Sequence, residues 1–309
     1  MLTDSTYSIT IGGICGVAVC SNIILLFALV KVQAKAARSC RGFFLLTTLH
    51  CWLSAICCGI TIPRVFTFDF VFVFVAVGPL YGEKFSSWFL ILWRSILMSS
   101  FLLVINKFIY RYILVCRPHI AHVYTSRKWQ TIMVVTNIVL LLKWMALTSY
   151  GFYPTQEFER IVRSGMLQHF DLDVASTPFI GCSSHNTAAT AVVVECLLTI
   201  FVLASIGVYC AACTYISIKG NIASLPMKRL HRQMFILLIV ESVYTILSLQ
   251  APISAVRLLL FTGITSTTTF SYAIGIVLSS FNCFCPAIAI LFMRDYRNFL
   301  MKMFGLKKP

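Results

Sequence analysis

The stretch at residues 86–118, SSWFLILWRSILMSSFLLVINKFIY followed by RYILVCRP, decides what kind of protein this is. From Ser86 to Tyr110 it is predominantly apolar. It exceeds the roughly 20 residues that a helix needs to cross about 30 Å of hydrocarbon. Arg94 and Lys107 interrupt the run and Arg111 closes it. An arginine at the rim of a membrane helix is costly unless it snorkels to the headgroups, pairs, or serves as a switch contact.

The rest of the chain supports a membrane reading. Of 309 residues, 59% are hydrophobic and only 11% charged, with a mean hydropathy of +0.88, more apolar surface than a soluble domain of this length could hide. A net charge of +15 could suggest a nucleic-acid partner, but the basic residues fall in short segments between apolar runs, which excludes that class. Most of the 13 cysteines lie inside the apolar runs, where they act as small packers. No spacing of Cys and His calls for zinc, and no motif calls for a cofactor. Phosphate loops, His-Glu-x-x-His and nucleophile elbows are absent, so an enzyme is the weakest reading.

Spanning stretches are expected at about 9–30, 43–63, 86–110, 130–150, 187–218, 233–257 and 270–293. The fold class is therefore all-α: a seven-transmembrane helix bundle formed by one domain over residues 1–309. Lys31, Lys35, Arg38 and Arg41, then Arg111, Arg117, Arg127 and Lys128, then Lys219, Lys228, Arg229 and Arg232, mark three connections as cytosolic. Arg294, Arg297, Lys302, Lys307 and Lys308 place the carboxyl-terminal tail, 294–309, on the same side. Asp4, Asp69, Glu83, Glu157, Glu159, Asp171 and Asp173 collect on the other side, which puts the amino terminus outside. The first run follows an acidic leader and is read as a first helix rather than a cleaved signal.

Two connections depart from short loops. Val65–Leu80 is rich in Phe and Val and reads either as an extension of the second helix or as an extended outer loop. The segment 151–186 is long and acidic, with Pro154 and Pro178, and a loop of that length is functional or disordered more often than a bare connector. Beyond the seventh run, Tyr296, Phe299, Leu300, Met303 and Phe304 share one side of an amphipathic tail helix.

Arg111-Tyr112-x-x-Val115-Cys116-x-Pro118 resembles the Arg-Tyr motif of rhodopsin-like G-protein-coupled receptors. Ser21-Asn22, Pro252 and Asn282 through Pro286 stand where that family has its Gly-Asn pair, its helix-six proline and its Asn-Pro motif. Three features depart from the pattern. Tyr110 replaces the acid before the arginine, Ser54 stands about where the helix-two acid would be, and no cysteine near Ser86 is available to tie helix three to the loop that holds Cys182. With Phe108-Ile109-Tyr110-Arg111-Tyr112, Arg229-x-His231-Arg232-Gln233-Met234-Phe235, Gln250-Ala251-Pro252 and Arg294-Asp295-Tyr296-Arg297, the chain is most similar to the nematode serpentine chemoreceptors of the str/srd/srh-type branch. The resemblance implies a small-molecule ligand, a heterotrimeric G protein as partner, the lipid bilayer as solvent, and a plasma-membrane location in sensory cilia. It also implies a switch drawn from Arg111, Tyr112, Glu241, Arg229, Arg232, Gln250 and Pro252. The basic group at the foot of helix six is equally accounted for by positive-inside topology alone. A transporter or channel, or a receptor-like protein without signalling competence, remain the alternatives; no internal repeat supports the first.

Depth sorts the intramembrane charges. Arg94 precedes Arg111 by about 25 Å of helix rise, which places it in the outer third. Glu195, Lys143 and Arg257 are also outer, whereas Lys107 and Glu241 are inner. The expected ligand pocket has Arg94 and Glu195 on its floor, Arg257 at its lip, and Trp93 or Trp144 on its walls. Equally open is an internal Arg94–Glu195 ion pair, with Lys143 and Arg257 snorkelling and the tryptophans anchoring the interface. Glu241 could reach Arg111 or Lys107 and so replace the acid missing at Tyr110.

Overall fold

A computed structural model describes residues 4–32, 41–79, 85–220, 225–303 and 305. Lys35, Arg38, Glu83, Phe304, Lys307 and Lys308 of the sequence reading lie outside the described residues. Among those described, seven helices are long and apolar enough to cross a membrane. They are α1 (Asp4–Lys31), α2 (Arg41–Thr61), α3 (Phe85–Cys116), α5 (Arg127–Phe152), α7 (Thr187–Gly220), the pair α8 (Leu225–Thr245) and α9 (Ala251–Thr262), and α10 (Thr268–Phe292). Shorter helices are α4 (Pro118–Thr125), α6 (Gln156–Phe170) and α11 (Arg294–Met303).

Burial sets the order of packing. Of the most apolar window of α3, 83% is buried, against 11% for α5 and 22% for α7. The third span is therefore the axis of the bundle, and the fourth and fifth present their sides to lipid. Ile132, Val135, Ile138, Val139 and Leu142 of α5 and Phe201, Val208 and Tyr209 of α7 are correspondingly exposed. A helix apolar all round suits that position.

Val65–Leu80 does not extend the second helix. It contributes most of a β-hairpin, β1 (Pro63–Phe68) and β2 (Val71–Ala76), with Pro63 opposite Ala76 and Phe68 opposite Val71. Asp69 and Phe70 both have positive φ, 42° and 61°, the backbone sense that a two-residue hairpin turn requires. The β-branched and aromatic residues of β2 suit a pleated strand that is buried along its whole length.

The segment 151–186 is ordered, in place of the loop that its prolines suggest. Thr155 caps α6 by accepting from the Phe158 amide at 3.3 Å, and Glu157 and Glu159 occupy its positive end. Val162, Gly165 and Met166 turn toward the sheet, and Asp171 in the left-handed region ends the helix. The chain then supplies β3 (Phe179–Ser183), antiparallel to β2 with Val71 opposite Ser183 and Val75 opposite Phe179. Cys182 is a free, buried thiol in this strand. The tether that a disulfide to helix three would have supplied is replaced by a backbone ladder between two connecting segments.

The amino-terminal end of α1 is fastened to the same sheet. Tyr7 donates to the Pro63 carbonyl at 2.8 Å, and Arg64 pairs with Asp4 at 3.0 Å while lying 4.8 Å from the Phe66 and Tyr272 ring centres. Tyr272 also donates to Asp4. At the opposite, basic end, α11 buries Tyr296 and Leu300 beneath α1 and α10 and leaves Met303 exposed. Gln233 of α8 donates to the Phe292 carbonyl at 2.7 Å.

Gly181 sits where β3 lies against β2, and a Cβ there would stand 2.3 Å from the Phe72 carbonyl oxygen. Overpacking against fixed backbone typically costs about 1–3 kcal/mol. Gly181→Ala is therefore expected to loosen this strand pair. Hydrogen exchange should show faster loss of protection at 71–75 and 179–183, with α3 unchanged.

Candidate functional site

Two cavities along α3 hold arginines, one at the sheet end and one at the basic end; a further cavity between them is lined by His50, Ser100, Leu103, Tyr244 and Phe281. At the sheet end, α3 contributes Arg94, Leu97 and Met98, α5 contributes Phe152, and α7 contributes Val193. Ile253, Val256, Arg257 and Leu260 come from α9, and Ile274 and Leu278 from α10. Val65, Phe72 and Phe74 of the hairpin close the cavity from above. The walls are apolar; the charged groups are Arg94 and Arg257.

Arg94 is held in place by two α5 side chains. It donates to the Thr148 hydroxyl at 2.7 Å, and its guanidinium carbon lies 3.7 Å from the centre of the Phe152 ring, a cation–π contact. Arg257 lines the same cavity, and its buried Nη1 has no hydrogen-bond partner among the described residues.

The sequence placed Glu195 on this floor, and the structure corrects that. Glu195 turns to α5, where it pairs with Lys143 at 2.5 Å and accepts from Thr199 at 3.1 Å. Both members of this ion pair are partly exposed, at 48% for the Lys143 side chain and 32% for that of Glu195. The flexible lysine reaches the α5-facing side of α7, whereas Arg94 is directed toward Thr148 and Phe152 of α5. Lys143 is consequently paired rather than snorkelling alone. Trp93 and Trp144 are buried but line neither wall; Trp93 packs edge-on against Phe74 at 5.6 Å. Thr148, Phe152, Phe72 and Phe74 went unread in the sequence. The signal for Phe72 and Phe74 was the Phe/Val run, visible there but without a place in the bundle; Thr148 and Phe152 gave none beyond their position in the fourth span.

The cavity at the basic end is lined by Phe43, Phe44, Lys107, Tyr110, Arg111, Met234, Leu237, Leu238 and Glu241. Lys107 and Glu241, open to either arginine or lysine pairing on sequence grounds, meet each other at 2.8 Å with both residues buried. Phe44 lies 5.5 Å from the ammonium. Arg111 is also buried, and its Nη2 has no hydrogen-bond partner among the described residues. The Tyr110 ring packs against Phe43 at 5.0 Å. Tyr112 accepts from Arg117 at 3.4 Å and faces Tyr209. Arg229 and Arg232 are exposed on the rim.

Between the two cavities, Ile246–Gln250 forms a π turn directly before Pro252. The Ala251 amide reaches the Ile246 carbonyl, five residues back, because the ring nitrogen of Pro252 has no hydrogen to continue the α pattern. Gln250 and Pro252 are buried at this junction. Asn22 of α1 donates to the Asn282 carbonyl of α10 at 3.0 Å, joining the first and last spans. Ser54 is buried with a hydroxyl that has no hydrogen-bond partner among the described residues.

The family model for the serpentine type seven-transmembrane G-protein-coupled chemoreceptors Str matches residues 8–301. The chain belongs to the Str family. Among solved structures, squid rhodopsin shares the fold, with a TM-score of 0.66 at 14% identity over 99% of this chain and 87% of the rhodopsin chain. No curated protein matches the chain at a significant level. It is thus a multi-pass membrane protein of the G-protein-coupled receptor type, and the Str match narrows the broader branch that the sequence motifs resemble.

Removing one partner of a buried ion pair strands the other and costs roughly 3–5 kcal/mol, whereas replacing both by apolar residues can be neutral. Lys107→Met and Glu241→Leu are each expected to lower the thermal stability of the purified protein by that order. The double variant should recover most of the loss, which a double-mutant cycle would measure.

Proposed function

We propose that this Str-family protein is a chemosensory receptor that takes a small molecule into the sheet-end cavity and activates a heterotrimeric G protein at the basic end. The observation that carries this reading is that the same two elements serve both cavities. Along α3, Arg94 belongs to one and Arg111 to the other; along α8–α9, Arg257 belongs to one and Glu241 to the other. A ligand that favours one packing of α9 is thereby coupled, through the π turn at Pro252, to the inner end of α8.

In this reading the sheet end faces outward and the basic end faces the cytosol, as the distribution of Lys and Arg supports. The Lys107–Glu241 pair holds α8 against α3 in the resting state, in place of the acid missing at Tyr110. Arg111, with Tyr112 beside it and Arg229 and Arg232 on the rim, is the group presented to the G protein. A plasma-membrane location, in the cilia of sensory neurons, belongs to the same proposal.

Heterologous surface expression with a G-protein reporter, screened against volatile and water-soluble small molecules, tests the whole reading. At matched surface expression, Arg111→Ala should reduce agonist-driven output about tenfold or more, a loss equivalent to about 1.4 kcal/mol. Glu241→Gln should raise agonist-free output, since it frees α8 from Lys107. Unchanged basal output in Glu241→Gln would remove the proposed restraint.

A further inference from the structure

Resting on the receptor reading, we propose that the sheet-end cavity recognises a small organic anion, a monocarboxylate with an apolar body, through Arg94 and Arg257. The case begins with charge. Two guanidinium groups meet at one narrow cavity, and among the described residues no carboxylate lines it. Glu195, the acid the sequence placed there, pairs with Lys143 and is not part of the lining. The acid at this end of the bundle that does meet an arginine, Asp4, is bound to Arg64 and Tyr272.

Two like charges lining one apolar cavity each raise the cost of the other. Arg94 is only partly compensated: a neutral hydroxyl and the face of a phenyl ring orient it without neutralising it. The buried Nη1 of Arg257 has no acceptor among the described residues. Such an arrangement has an unused capacity for at least one negative charge. A planar guanidinium presents paired N–H donors whose spacing matches the two oxygens of a carboxylate.

The remaining lining defines the rest of the ligand. Leu97, Met98, Val256, Leu260 and Phe74 offer contact to a hydrocarbon or aromatic body and no further polar partner. Thr148 and Phe152 are positioning residues, because they fix the direction in which Arg94 donates.

The test uses the purified full-length protein and its thermal unfolding midpoint, with hexanoate and phenylacetate as probes and their methyl esters as matched neutral controls. A ligand that binds only the folded state raises that midpoint. The carboxylates are expected to raise it at concentrations at which the esters do not. Arg257→Gln should weaken that effect by about tenfold or more, as expected when a charge-assisted hydrogen bond is lost. Arg257→Lys should retain part of it. Equal shifts by acid and ester, or no shift by either, would overturn the proposal, as would undiminished carboxylate binding in both Arg257→Gln and Arg94→Gln.

The reporter assay separates this inference from the one beneath it. Carboxylate-dependent stabilisation without signalling would leave the anion site standing and count against the receptor reading. Signalling driven by neutral molecules, with carboxylates inert in both assays, would do the reverse.

Discussion

A cation placed inside a membrane protein must be answered by something, and α3 carries three of them on a helix buried on nearly every side. Each answer must therefore come from another element. Arg94 is met by a hydroxyl and a ring of α5, and Lys107 by a carboxylate of α8. Arg111 keeps one nitrogen unmet among the described residues. Those contacts fix α5 and α8 against the axis, and they grade from neutral partners at one end, through full charge pairing, to incomplete satisfaction at the other. The two cavities that hold arginines each include one whose compensation is incomplete among the described residues.

The sheet end shows how irregular backbone is accommodated beside a bundle. Strands need partners for their amides and carbonyls, and β2 finds them on both edges, in β1 and β3. The sheet is thus assembled from two connections far apart in sequence, with α6 packed on it through Val162 and Met166. Arg64, buried between Asp4, Phe66 and Tyr272, fastens the first helix to this lid. Binding determinants at this end consequently include the connections themselves, since Phe72 and Phe74 reach into the cavity between the spans.

Much of the architecture was readable because it depends on local quantities. Length and apolar content mark seven spans, and the spacing of Tyr296 and Leu300 marks the helix after the last one. Depth was readable too, since rise per residue is constant; Arg94 and Arg257 do share the sheet-end cavity. Rotation about each helix axis was not. Glu195 stands at a suitable depth yet faces α5, and Trp93 and Trp144 pack away from the cavity. Val65–Leu80 defeated periodicity because a strand buried on both faces has no alternation to read. Arg64 was overlooked because its partner lies at the other end of two helices.

The π turn before Pro252 has a geometric effect on the residues either side of it. Glu241 and Arg257 are sixteen positions apart, which in an uninterrupted α-helix would point them about 160° away from each other. One wide turn absorbs about one residue and reduces that difference to about 60°. The irregularity therefore acts as a phase corrector: it lets a single span show an acid inward near one membrane face and a base inward near the other, with neither turned toward lipid.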